Sequence, residues 1–253
     1  VSRVSTGESV LERGVRIVES FGLDDRTLTV GEIARRSGLH VATASRLIEE
    51  LVKAGWLERD GRQVRVGVRL WEVASRASPT VGLREAAMPF MEDLHVVTGH
   101  HTQLGVLESD EVLFVERLSS PGAVVNYSRI AGRLPLYASS SGLVLLAHAS
   151  TALQEKIING PMTAYTAETL HTSRRLRTAL AEIRRQQYAF CAGHIYRETT
   201  GIAVPVRDAE DVVVAAVSVI VPNDDNARTL IPLLQAAGRG VSRVMSSGFR
   251  PAQ

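Results

Sequence analysis

Apolar residues in the first seventy positions recur at helical spacing, in three short runs bounded by polar residues or glycine. In the first, Val10, Leu11, Gly14, Ile17, Val18 and Phe21 share one helical face. Ser9, with Glu12 three residues on, forms a capping box at its start, and Gly22 marks its end. The second run opens at another capping box, Thr29 with Glu32, buries Val30, Ile33 and Ala34, continues to about Ser37 and breaks at Gly38. The third covers about Val41 to Ala54. It turns Ala44, Leu47, Ile48 and Leu51 inward and Ala42, Thr43, Ser45, Arg46, Glu49 and Lys53 outward. Trp56–Arg59 and Gln63–Val66 then flank Asp60-Gly61. That order predicts a hairpin with a type I′ turn, because both central residues of such a turn need positive φ.

A further helix, about Leu70 to Ala77, stops before Pro79 and reads as a linker. The division expected is 1–69, 70–79 and 80–253. Past the linker the pattern is mixed. Helical spacing at Leu83, Ala87, Phe90, Met91, Leu94 and Val97 precedes strand-like runs at Thr102–Leu107, Val112–Leu118 and Ala123–Ile130. Helices follow at Gly142–His148, Thr151–Ile157 and Arg174–Gln187. Two more strands, Ile202–Val206 and Val212–Val221, are joined by a turn over Arg207 to Asp211. An amphipathic helix from Ala227 to Met245 closes the pattern. The order predicts an α+β chain whose second domain is an antiparallel sheet flanked by helices.

Composition narrows the function classes. Of 253 residues, 45% are apolar and 22% charged, the balance of a folded globular protein. No run approaches the ~18 apolar residues of a membrane span, and the first residues lack a signal-peptide core, so a cytoplasmic location without membrane contact is expected. Cys191 is the only cysteine, which excludes an intrachain disulfide and a four-cysteine zinc site. A net charge of +2 does not by itself argue for nucleic acid.

The first domain argues for it by pattern. Helix, glycine turn, helix and basic hairpin make a winged helix-turn-helix. A recognition helix must bury one stripe and offer short side chains to base edges. Val41, Ala42, Thr43 and Ser45 are short, and Arg46 is long enough for a guanine edge or a phosphate. Arg59, Arg62 and Arg65 furnish a basic wing for the backbone or the minor groove. Glu49, Glu50, Glu58 and Asp60 weigh against this, since acidic groups repel phosphates. A helical bundle with a solvated basic hairpin is the alternative.

Three segments of this domain carry a resemblance: Leu28 to Leu39, Ala42 to Leu47 and Leu51 to Arg59. With Gly132 to Gly142, Gly201 to Val206 and Val214 to Ser218 in the second domain, the chain resembles the isocitrate-lyase-regulator (IclR) family of bacterial transcription factors. The resemblance implies a GAF-like effector domain and a homodimer or dimer of dimers on a pseudo-palindromic operator in double-stranded DNA. No cofactor is implied. Leu70, Trp71 and Val73 on the linker helix are a candidate dimer surface.

Ser139, Ser140, Ser141 and Gly142 open an apolar helix, and hydroxyls with open N–H groups at a helix start make an anion site. Ordinary capping is the competing reading. The resemblance implies that this loop holds the carboxylate of a small organic acid. It also maps Cys191, Gly201, Ser218 and Ile220 onto the family's other pocket positions, where members that bind small keto acids usually carry Asp, Cys, Ser and Ser. Only Ser218 is kept, and Gly201 is expected to enlarge the space. A larger, more apolar acid, aromatic or alicyclic, fits such a pocket better than glyoxylate or pyruvate. Cys191 and His194, with His100 and His101 elsewhere, are the only candidate metal ligands, and their spacing is poor. A metabolic enzyme or a protein-interaction adaptor carrying a winged helix are the rival readings. No nucleophile, acid–base pair or cofactor fingerprint supports the enzyme.

Overall fold

The computed structural model describes residues 8–77, 79–126 and 128–247. The chain divides into two compact units, Val1–Ser78 and Pro79–Gln253.

In the first unit, α1 (Val10–Glu19), β1 (Leu28–Thr29), α2 (Val30–Ser37), α3 (Val41–Lys53), β2 (Leu57–Asp60), β3 (Gln63–Val66) and α4 (Val68–Ala77) follow in order. Both capping boxes form: Ser9 with Glu12, and Thr29 with Glu32. Gly38 ends α2 in the left-handed conformation, φ 65°, which lets Leu39 N–H close back onto Ala34 O at 2.9 Å. The core is small: Ile17, Ile33, Ala34, Ala44, Leu47, Ile48, Leu57 and Val64. Only the second half of α1 reaches it, so Val10 and Leu11, expected on its inner face, are exposed. The hairpin turn also differs from expectation. Asp60 pairs with Gln63, so the two loop residues are Gly61 and Arg62, and only Gly61 has positive φ, 57°. That rules out a type I′ turn and matches the II′ pattern of glycine at the first central position. β1 pairs with β3 and makes a three-stranded sheet that the two-residue run Leu28–Thr29 was too short to announce.

The second unit begins with α5 (Pro79–Thr98), which continues through Pro89, and β4 (His101–Glu108), β5 (Glu111–Leu118) and β6 (Arg133–Pro135) come next. Then α6 (Ser140–His148), α7 (Thr151–Asn159) and α8 (Ser173–Gln186) precede β7 (Ala189–Ala192), β8 (Thr199–Arg207) and β9 (Val213–Pro222). A 3₁₀ segment, Asp225–Leu230, leads into α9 (Ile231–Ser246). The expected α-helix from Ala227 therefore starts later. Pro232, at the start of α9, lacks the N–H that would tie it back to the preceding turn.

The sheet is antiparallel, in the order β6-β5-β4-β9-β8-β7. Its period-2 alternation separates two cores. Ile202, Val204, Val217 and Val219 face α5 and α9, where Leu83, Ala87, Met91, Leu234 and Val241 complete one cluster. Ala189, Cys191, Ala203 and Ala216 face α6 and α8, with Leu143, Leu146, Leu176 and Leu180. Small residues on this second face leave room above the sheet.

The described residues of the run expected as a strand at Ala123–Ile130, all but 127, are not in a strand. β6 occupies the edge of β5 instead, pairing Val112 with Leu134. Backbone groups of Val124 and Ser128 are met by side chains rather than by a ladder. His101 Nε2 bonds Val124 O at 2.6 Å, Arg117 Nη1 donates to Ser128 O at 2.6 Å, and Asn126 Oδ1 accepts from Ser128 N at 3.0 Å. From this segment, the strap, Val125, Asn126 and Ser128 border the space above the sheet.

Candidate functional site

Two sites emerge, one in each unit. In the first, Ala44, Leu47 and Ile48 fix α3 by its buried stripe, which turns Val41, Ala42 and Arg46 outward with Thr43 and Ser45 half exposed. The N-terminus of α3 carries no side-chain cap, so exposed His40 and the first N–H groups of the helix are open to an anion. Arg46 makes only a loose ion pair with Glu50, at 3.3 Å between exposed groups. In the wing the three arginines are not equivalent. Arg59 is tied to Glu49 and to Gly61 O, and Arg65 to Glu58 at 2.7 Å. Arg62 sits at the tip, exposed and without an ion pair among the described residues. Of the acidic residues that weighed against this face in the sequence, Glu49 and Glu58 are the partners of its flanking arginines and Glu50 is the partner of Arg46. His40 was missed because a histidine before a helix carries no capping signal.

In the second unit a pocket of about 50 Å³ opens above the small-residue face of the sheet, several times the ~10–15 Å³ that one water needs. Strand register brings the distant candidates together. Cys191 pairs with Gly201, and Gly201 with Ile220, so three of the four mapped positions lie in one row across β7, β8 and β9. The Ser139–Ser141 loop closes the space from above, and Phe114, Leu134, Ala138 and Ile195 make the lining mostly apolar.

Each expected residue has a distinct place. Ser139 Oγ caps α6 by accepting from Gly142 N at 3.1 Å. Ser140 and Ser141 occupy the first two helical positions, where an α-helix leaves N–H groups without intrahelical acceptors, and no other bond engages them among the described residues. Ser140, Ser141 and Ser139 are all buried and line the pocket. Gly142 does not line it. A Cβ there would stand 2.6 Å from Leu136 O, so glycine lets the helix start pack on the Leu136 backbone. Ser218 is also set back, fully buried, and accepts a hydrogen bond from Ser141 Oγ at 2.9 Å.

Gly201 does not enlarge the space as the sequence led one to expect. A Cβ there would meet Ser140 Oγ at 2.9 Å and Ile220 Cδ1 at 3.3 Å, so the volume it vacates is already taken by the Ser140 hydroxyl. Cys191 is buried, and burial pushes its thiol pKa up, which keeps it protonated at neutral pH. His194, noted in the sequence for its spacing from Cys191, lines the pocket instead. Burial pushes its pKa down to about 4, so the ring is neutral at pH 7. His100 and His101 lie elsewhere: His101 bonds Ser119 Oγ at 2.9 Å and Val124 O, and His100 Nδ1 accepts from Val124 N. Among the described residues no cluster of three or more His, Cys, Asp or Glu is placed to hold a metal ion.

Sequence reasoning missed Gln103, Asn126 and Ser128 in the pocket wall. Gln103 lies directly across from Ser218 on β4 and donates to Ser128 Oγ. Asn126 and Ser128 belong to the strap, which the sequence pattern read as a strand.

A winged helix-turn-helix followed in the chain by a domain with a largely apolar pocket is the build of a one-component transcriptional regulator. Residues 10–61 match the IclR helix-turn-helix domain, and residues 76–243 match the bacterial transcriptional regulator IclR C-terminal domain. The chain belongs to the IclR family of bacterial transcriptional regulators. A solved structure of an IclR homolog from Microbacterium hydrocarbonoxydans, complexed with 4-hydroxybenzoate, is 42% identical. The likeness covers 94% of this chain and 100% of that one, with a TM-score of 0.92. The transcriptional regulator XynR of Escherichia coli K12 is 29% identical over 93% of this chain and 96% of its own length. The Pca regulon regulatory protein of Pseudomonas putida is 26% identical over 90% and 81%. No helix among the described residues is long and apolar enough to cross a membrane.

Proposed function

We propose that this chain binds a pseudo-palindromic operator through α3 and the wing, and that an aromatic carboxylic acid in the second unit's pocket controls that binding. The observation that carries the ligand reading is the start of α6. Two N–H groups, of buried Ser140 and Ser141, stand unbonded among the described residues, beside the Ser140 hydroxyl and facing a pocket whose exposed lining is largely apolar. Buried donors of this kind cost free energy unless an acceptor meets them, and an anion at a helix N-terminus is the strongest acceptor available. Phe114, Ile195 and Ile220 then suit the flat apolar body of an aromatic acid rather than a keto acid. The 4-hydroxybenzoate held by the Microbacterium homolog supports the same class.

On the DNA side, Arg46 would reach a base edge and Arg62 the backbone. The linker helix α4, whose Trp71 is 69% exposed and whose Val73 is exposed as well, would join two copies so that two half-sites are read together. The acid acts as a switch only if it binds the DNA-competent and DNA-incompetent states with different affinity. Fluorescence anisotropy of labelled DNA from upstream of the gene, titrated with the chain with and without 4-hydroxybenzoate, tests this. A reproducible shift in the DNA affinity supports the reading. DNA binding that ignores the acid, or no specific binding at all, refutes it.

A further inference from the structure

Two buried polar atoms in the pocket wall have no hydrogen-bond partner among the described residues: Asn126 Nδ2 and His194 Nδ1. Both residues line the same pocket, one from the strap and one from the loop after β7. Their hydrogen-bonding roles follow from the structure. Asn126 Oδ1 accepts from Ser128 N at 3.0 Å and from Ser128 Oγ at 2.9 Å. A backbone N–H is only a donor, so the amide oxygen must be on that side, and Nδ2 offers donors alone. His194 is held by its backbone: Thr166 Oγ1 donates to Gly193 O at 2.6 Å and Thr169 Oγ1 to His194 O at 2.6 Å. The imidazole itself makes no hydrogen bond among the described residues. As a neutral ring it has one nitrogen able to accept and one able to donate.

Buried polar groups of native proteins are rarely left unpaired, and the exceptions ask for an explanation. Here two lie in one apolar-lined cavity, on segments anchored by other bonds. We propose that Asn126 and His194 together read a hydroxyl group on the effector's ring, and so select a hydroxylated aromatic acid over the unsubstituted one. A hydroxyl accepts from Asn126 Nδ2 and donates to the bare nitrogen of His194. That satisfies both atoms with one group, as an amine or a methyl group does not. A second carboxylate is disfavoured, because the neutral imidazole and the Asn126 amide give its buried charge no counter-charge. The proposal rests on the carboxylate reading of the α6 start, which orients the ring in the pocket.

The test is calorimetric titration of the full chain with benzoate and with 2-, 3- and 4-hydroxybenzoate. The expected result is that at least one hydroxylated acid binds about tenfold or more tighter than benzoate, the worth of one or two buried hydrogen bonds. In His194→Phe and in Asn126→Asp, which keeps the acceptor facing Ser128, that ratio should fall to within about twofold. A wild-type ratio near one overturns the proposal, and so does a ratio that survives both substitutions. If the variants unfold at the wild-type temperature yet bind no acid at all, the pair frames the pocket and does not read the ring, which also overturns it. If no acid binds the wild-type chain, the carboxylate reading itself fails, an outcome distinct from a ratio near one.

Discussion

Ser141 Oγ donates to Ser218 Oγ at 2.9 Å, joining the first turn of α6 to the middle of β9 across 77 residues of sequence. Both hydroxyls are buried, so neither has water to fall back on. The bond fixes the height of the α6 start above the sheet, and hence where its open N–H groups stand. Ser218 therefore serves the pocket through Ser141.

A double-mutant cycle on this pair should show strong coupling. Ser141→Ala and Ser218→Ala each leave one buried hydroxyl unpaired, at a cost of about 1–3 kcal/mol in urea unfolding. The double variant removes both and should cost less than the sum of the two. Additive losses would mean that the hydroxyls do not depend on each other.

Gly201→Ala should act through Ser140. The added methyl would press on the Ser140 hydroxyl and on Ile220, so affinity for an aromatic acid should fall about tenfold or more while operator binding persists. Unchanged acid affinity in the variant, measured by calorimetry, would place the ligand elsewhere.

Arg46 and Arg62 should differ in kind. Arg46→Ala should cost about 1–3 kcal/mol on the operator and relax preference at one base position. Arg62→Ala should weaken all DNA sequences alike and reduce the salt slope by about one unit, because the unpaired wing tip is suited to a phosphate. Arg59→Ala should do less to DNA than Arg62→Ala, since Glu49 already neutralises Arg59. Gel-shift titrations at several salt concentrations separate these outcomes.

His194 makes stability depend on pH in a known direction. Its pKa is pushed from the ordinary 6.5 down to about 4 by burial, so the unfolded chain binds this proton more readily than the folded one. The contribution to stability is full above pH 6.5 and is lost progressively as pH falls toward 4. The slope it adds is at most about 1.4 kcal/mol per pH unit. Urea unfolding of the wild-type chain and of His194→Phe between pH 7 and pH 4 should show a shallower pH slope in the variant. Identical slopes would show that the ring titrates normally.

Much of this was written in local pattern. The capping boxes at Ser9 and Thr29, the stripe of Ala44, Leu47 and Ile48, and the hairpin around Gly61 all declare themselves within a few residues. The Ser139–Gly142 helix start did as well. What failed to show depends on partners distant in sequence. The segment 123–130 alternates like a strand, yet β6 holds the edge it would have needed, and His101, Arg117 and Asn126 meet the backbone of Val124 and Ser128 instead. Gly201 looked like vacant space because nothing local reveals that Ser140 reaches across to fill it. The pairing of Arg59 with Glu49 likewise becomes visible only when α3 and the wing are folded together, whereas Arg65 meets Glu58 across the hairpin itself.

The central claim is that the buried start of α6 holds a carboxylate. It is tested most directly by titrating the chain, in a calorimeter at neutral pH, with 4-hydroxybenzoate and with its neutral analogue 4-hydroxybenzamide. The two share ring, hydroxyl and shape, and differ in the group offered to Ser140 and Ser141. The acid should bind, and the amide should bind at least about tenfold more weakly, since a charged acceptor is worth roughly 1.5–3 kcal/mol to buried donors. An amide that binds as tightly as the acid would contradict the account and leave the serine loop as a helix cap alone.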